Sequence, residues 1–279
     1  MPAKVRVGLG IAAFPFDAPR DLLDFAERCE RAGVDSLWQT DRLQGRNGQL
    51  EALATMAALA GATERIKFGM NAVVASLRDP LLLAKQCASI DFLSGGRLLP
   101  VFGVGVEADP VWQATGRVAG ERGRRADEVL EIAQRLWRGE EVHFVGRFHR
   151  LAGATIAPLP IQQPLPCWIG GNSPAAIRRT ARLGTGWLGG LAPAGEVERV
   201  IAAIQEELAR TGRSIDPDHY GATLPVRPEE ATAAVGRARA YLAAGASKLV
   251  LIPLARGTKP FRELSERLIG EVIPAIEER

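Results

Sequence analysis

The run Trp168-Ile169-Gly170-Gly171-Asn172-Ser173-Pro174-Ala175-Ala176 joins an apolar, strand-like segment to a helix start through two glycines. Those residue types suit anion chemistry. A helix N-terminus presents unpaired N–H groups and a partial positive charge, and glycine removes the Cβ that would keep a phosphate from the backbone. On this reading Gly170, Gly171, Asn172 and Ser173 form a phosphate cradle, and Gly171→Val lowers anion affinity more than stability. The same residues also make an ordinary tight turn, and spacing alone leaves both readings standing.

Three other places carry polar residues where strands end. In Thr40-Asp41-Arg42 a carboxylate adjoins a guanidinium, a pair able to orient the polar edge of a ligand or to form a surface ion pair or cap. Asn71, followed by Ala72 and Val73, interrupts an apolar run, as at a bulge or at a hydrogen bond into a site. In Gly103-Val104-Gly105-Val106-Glu107 the glycines admit a flat ligand to the backbone. Glu107 is the candidate general acid or base there, provided that burial raises its pKa; otherwise it is a solvated loop glutamate.

The elements that must position these residues alternate along the chain. Apolar runs at 4–12, 34–41, 65–75, 96–106, 167–171, 186–191, 219–226 and 248–253 are separated by amphipathic stretches, the last of them closing at 260–277. Eight strands alternating with eight helices predict an α/β fold, a (β/α)8 TIM barrel, with the site at the C-terminal ends of the strands. A doubly wound sheet is the alternative, but no GxGxxG opens the first helix. Pro100 predicts a ladder irregularity in the fourth strand. Residues 140–151 read as a β-hairpin inserted between strands four and five, and a proline-rich passage at 157–166 returns the chain to the barrel. Residues 1–279 are thus expected to form a single domain.

Composition narrows the function classes. The net charge is +3 and no basic stripe interleaves with aromatics, so nucleic acid is not an expected partner. No apolar run reaches membrane-spanning length and the N-terminus lacks a signal pattern, which predicts a cytoplasmic protein with no membrane partner. Cys29, Cys87 and Cys167 lack paired spacing and read as reduced, buried thiols, and His143, His149 and His219 give no metal motif. No metal is expected.

Several segments together resemble the bacterial luciferase-like family of flavin- or coenzyme F420-dependent oxidoreductases. They are "ERAGVDSLWQTD" (30–41), "ATERIKFGMNAVV" (62–74), "LLLAKQCASIDFLSGGRLLPVFGVG" (81–105), "ERGRRADEVLEIAQRLW" (121–137) and "LPCWIGGNSPAAIRRTARLGTGW" (165–187). The resemblance implies a (β/α)8 barrel holding an isoalloxazine or deazaflavin ring at its mouth. Asp41, Arg42, Asn71, Ala72, Val73, Gly103 and Gly105 would then lie near the ring, with a non-prolyl cis peptide at Asn71-Ala72, and Gly170 to Ser173 would hold phosphate. It implies hydride transfer with F420, with an FMN-dependent monooxygenase and a non-catalytic flavin-binding protein as alternatives, and a homodimer acting on a small molecule. Two departures stand out. Arg42 occupies the position where many relatives carry a histidine able to shuttle protons, and Thr185 stands where relatives commonly carry aspartate.

Overall fold

A computed structural model describes residues 5–46 and 48–278. The first predicted strand begins at Lys4, which lies outside them. Eight parallel strands form the closed barrel: β1 (Arg6–Ile11), β2 (Ser36–Gln39), β3 (Lys67–Val74), β4 (Leu98–Gly103), β7 (Trp168–Gly170), β8 (Gly186–Leu188), β9 (Tyr220–Val226) and β10 (Lys248–Pro253). Around the ring they run β1-β10-β9-β8-β7-β4-β3-β2. Among the described residues, β5 (Val142–Val145) and β6 (Arg150–Ala154) alone stand apart, as the antiparallel hairpin expected between the fourth and fifth barrel strands.

The helices sit outside. They are α1 (Pro19–Arg31), α2 (Ala52–Ala62), α3 (Pro80–Leu93), α4 (Val111–Ala114), α5 (Arg122–Trp137), α6 (Pro174–Leu183), α7 (Ala194–Thr211), α8 (Ala234–Ala243), α9 (Thr258–Arg267) and α10 (Ile273–Glu277). Local signals explain their starts. Asp79 caps α3 by accepting from the Leu82 amide at 2.9 Å, with Pro80 in the first turn. The helices depart from the sequence pattern in three places. Between β9 and β10 the helix begins only at Ala234, after a short 3-10 turn, and the closing helix expected at 260–277 is divided by a π segment at Leu268–Val272. The one-turn α4 has too little periodicity to be seen in sequence.

Alternation along the strands divides the core in two. Trp38, Val101, Trp168, Leu188, Val250 and Ile252 pack inside the barrel. Leu37, Phe68, Phe102, Ile169 and Leu249 face outward into the larger core beneath the helices. The interior tryptophans need room: a Cβ at Gly186 would lie 2.5 Å from the Trp168 ring. Opposite Pro100 the ladder is irregular as expected, but the extra residue belongs to β3. Met70 pairs with Pro100 and Val73 with Phe102, so Asn71 and Ala72 together face a single residue of β4.

Candidate active site at the barrel mouth

The β3 irregularity decides what lies beneath the mouth. The Asn71-Ala72 peptide is cis. Asn71 extends across the barrel, its Nδ2 donating to Thr223 Oγ1 of β9 at 3.1 Å, and Thr223 donates in turn to the Gly189 carbonyl at 3.0 Å. Ala72 packs with the interior cluster. Its Cβ lies 3.3 Å from where a Cβ would stand at Gly103 and equally 3.3 Å from one at Gly170. Three neighbouring strands thus contribute a shelf of one methyl group and two bare backbones. Any side chain added at either glycine would fill the space a flat ligand needs.

The shelf continues into the start of α6. Ser173 is the N-cap, its Oγ accepting from the Ala176 amide at 3.2 Å, and Pro174 has no N–H to satisfy. The amides of Gly171, Asn172, Ser173 and Ala175 have no hydrogen-bond partner among the described residues. The turn is held from outside. Trp187 Nε1 donates to the Gly171 carbonyl at 2.8 Å, Asn172 Nδ2 donates to Glu196 at 3.1 Å, and Asn172 Oδ1 accepts from the Gly190 amide at 3.3 Å. Four open donors on a braced turn are what an anion requires. At Gly171 the constraint differs from the one expected: a Cβ there meets nothing closer than Ala176 at 3.5 Å, but φ is +106°. Gly171→Val would strain the backbone and so lower stability too, and Gly170 is the cleaner position to probe.

The loops after β2 and β4 form the facing wall. Asp41 does not pair with Arg42. Its buried carboxylate binds Arg78 Nη2 at 2.9 and 3.0 Å and the Val74 amide at 3.0 Å, and the same guanidinium reaches Glu51 at 3.0 Å. Burial pushes Asp41 above the usual carboxylate range, and the Arg78 charge only partly offsets it. Asp41 therefore anchors the loop to β3, while Arg42 is exposed beside it with no acidic partner among the described residues. Gly105, at φ +73°, lets its loop turn under Trp112. A narrow cleft of only about 20 Å³ lies between Arg42, Leu43, Gly105, Val106 and Trp112. Glu107 lies at the rim with 68% of its side chain exposed, paired with Arg122 at 2.9 Å. The burial on which an acid–base role depended is not there, because the loop turns the side chain outward.

Thr223 went unnoticed in the sequence, although a threonine within "YGATLPV" is the same kind of signal as Asn71 within its own strand. Thr185 lies at the opposite end of β7 and β8, its hydroxyl accepting from the Cys167 amide at 2.8 Å. All three cysteines are buried, and burial pushes the thiols of Cys29 and Cys167 up to about 12. Among the described residues no group of three or more His, Cys, Asp or Glu side chains is placed to hold a metal ion, and no helix is long and apolar enough to cross a membrane.

The family model described as luciferase-like monooxygenase matches residues 1–269. The chain belongs to that family. Among similar luciferase-like proteins, the F420-dependent glucose-6-phosphate dehydrogenase of Nocardia farcinica (strain IFM 10152) is 31% identical over 208 residues, which are 71% of this chain and 62% of that protein. The chain thus spans less than two thirds of that relative's length. Among solved structures, an F420-dependent secondary alcohol dehydrogenase in complex with an F420–acetone adduct superposes with a TM-score of 0.83 at 17% identity, over 98% of this chain and 99% of that one. The oxygenating constituent of 3,6-diketocamphane monooxygenase from Pseudomonas putida, in complex with FMN, gives 0.77 at 17% identity, over 97% and 98%. These two likenesses show that both proteins share this barrel fold.

Proposed function

We propose that this luciferase-like chain is an oxidoreductase that binds coenzyme F420 in the barrel mouth and moves a hydride to or from a small organic substrate. The observation that carries the reading is the shelf of Ala72, Gly103 and Gly170 running directly into the open amides of Gly171, Asn172, Ser173 and Ala175. It offers a flat ring a surface and a phosphate a set of donors. When bound, the deazaflavin would supply two-electron hydride chemistry. The protein's part is to hold the ring against Asn71-Ala72-Val73, brace that segment through Thr223, and leave the loops after β2 and β4 to the substrate. The relative named as an F420-dependent dehydrogenase supports the choice of cofactor.

FMN shares the ring outline and the phosphate, and the same shelf accepts it. The FMN-dependent monooxygenase is therefore the second reading, with the FMN-bound diketocamphane monooxygenase as its support. The exposed Arg42 and the exposed Glu107 favour a third, a barrel that binds flavin without turnover, since neither provides a buried proton carrier. Titration of purified protein with F420 and with FMN, followed by cofactor fluorescence, separates the first two. Tight FMN binding without F420 binding overturns the proposal. Turnover of F420-loaded protein with a panel of alcohols and sugar phosphates counts against the third.

A further inference from the structure

The anion-binding features do not stop at the first turn of α6. Past Ala175 this helix carries Arg178, Arg179 and Arg182, and spacings of three and four residues stack all four positions on one face. With Asp127 of α5 they line a groove of about 320 Å³ that starts beside the cradle. Arg179 is held fast, 7% exposed, its Nε donating to Asp127 at 2.7 Å and its Nη2 to the Gly123 carbonyl at 3.1 Å. Arg182 reaches the same Asp127 oxygen at 2.9 Å. Arg178 is exposed and has no acidic partner among the described residues. The groove lining thus carries three guanidiniums and one carboxylate, which pairs with only two of them. Other helix faces differ: Arg20 with Asp24 in α1 and Lys259 with Glu263 in α9 are matched one to one within their own helices.

We propose that this groove is a subsite for anionic groups that continue past the cofactor's phosphate. The inference rests on the cofactor reading above. A phosphate monoester, as in FMN, ends at the cradle. A phosphodiester followed by carboxylates, as in coenzyme F420, runs on along α6, where the face from Ala175 to Arg182 extends for about 10 Å at the helical rise. Guanidiniums suit carboxylates because their paired N–H donors match the two oxygens. The groove therefore supplies a physical basis for preferring the longer cofactor over the shorter one, which the shelf and the cradle do not.

The test compares intact F420, a deazaflavin cleaved to end at the phosphate, and FMN, binding to wild-type protein and to an Arg178→Ala, Arg182→Ala double variant. Both substituted side chains are largely exposed, so the variant should fold, and its Tm checks that. Wild type should bind intact F420 about tenfold more tightly than the phosphate-terminated form, an advantage that shrinks as salt rises. The double variant should lose that advantage with its Kd for the phosphate-terminated form unchanged. Equal affinity of wild type for the two deazaflavins overturns the subsite and leaves the cofactor reading intact, as does an equal loss for both in the variant. Failure of intact F420 to bind wild type overturns the cofactor reading and the subsite with it.

Discussion

At the N-terminal end of the barrel Lys248 reaches into the interior and pairs with Asp35, Ser36 donates to the same carboxylate at 2.7 Å, and Trp38 Nε1 donates to Ser36 at 2.9 Å. At the C-terminal end Ala72, Gly103 and Gly170 leave bare backbone, and four amides at the start of α6 remain open. One end spends its polar groups on one another under bulky side chains. The other keeps small residues and unspent donors. Burial pushes the Lys248 ammonium down to about 8 against the pull of Asp35, and that charge in turn holds Asp35 below its ordinary range although burial alone would raise it. The difference teaches where stability and binding are separable in this barrel: substitutions at the base should read out in folding, those at the mouth in affinity.

The largest effect is expected at the base. Asp35→Ala leaves Lys248 buried without its counter-charge and should cost about 3–5 kcal/mol in denaturant unfolding, while the folded fraction keeps its cofactor affinity. Replacing the pair together, Asp35→Leu with Lys248→Met, should bring stability back near the wild-type value. A loss of affinity in the folded Asp35→Ala protein would mean that the two ends are coupled.

At the mouth the expectation reverses. Gly170→Val places side-chain atoms in the shelf beside Ala72 and should weaken binding of F420 or FMN by about 100-fold, or ~2.7 kcal/mol, with Tm lowered only slightly. A variant that binds as wild type does would remove the shelf from the site. Thr223→Val tests the brace between the two regions. It strips Asn71 of its acceptor and should cost about 2 kcal/mol of stability, with a several-fold loss of affinity as the Asn71-Ala72 segment loosens. Loss of stability alone would make Thr223 structural only.

The sequence discloses the base and the mouth unequally. The eight strands are legible because each keeps its apolar run and its turn residues, and the glycine pair before α6 is legible because helix starts use a short list of residues. Pairings between distant segments are not. Asp41 stands next to Arg42 in sequence, yet its partner is Arg78, and only the closure of the β2 loop onto β3 brings them together. Asn71 needs Thr223, 152 residues away, and Lys248 needs Asp35, 213 residues away. Glu107 shows the opposite failing: its type suited acid–base work, but burial depends on the path of a loop, and no local pattern sets that path.

The hairpin provides a region that belongs to neither end. Glu128 of α5 accepts from the amides of Arg147 at 2.7 Å and of Phe148 and His149 at 3.0 Å, and its carboxylate lies 3.1 Å from His149 Nδ1. Burial alone would raise Glu128, but these donors outweigh it and hold the carboxyl below its ordinary value. A pKa lowered by folding contributes stability above the unfolded value, and that contribution is lost as pH falls through the lowered one. The hairpin amides should therefore be well protected from deuterium exchange near neutral pH, relative to the intrinsic rate at that pH, and less protected once the pH falls through the lowered Glu128 pKa, a change of ~1 kcal/mol in local opening. Glu128→Gln should show the lower protection already at pH 7. Neither change should alter cofactor affinity, because the clasp touches neither the shelf nor the cradle. Protection that stays constant from neutral to acid pH would mean that the clasp contributes nothing to holding the hairpin, and that packing of Phe148 and Leu151 does that work instead.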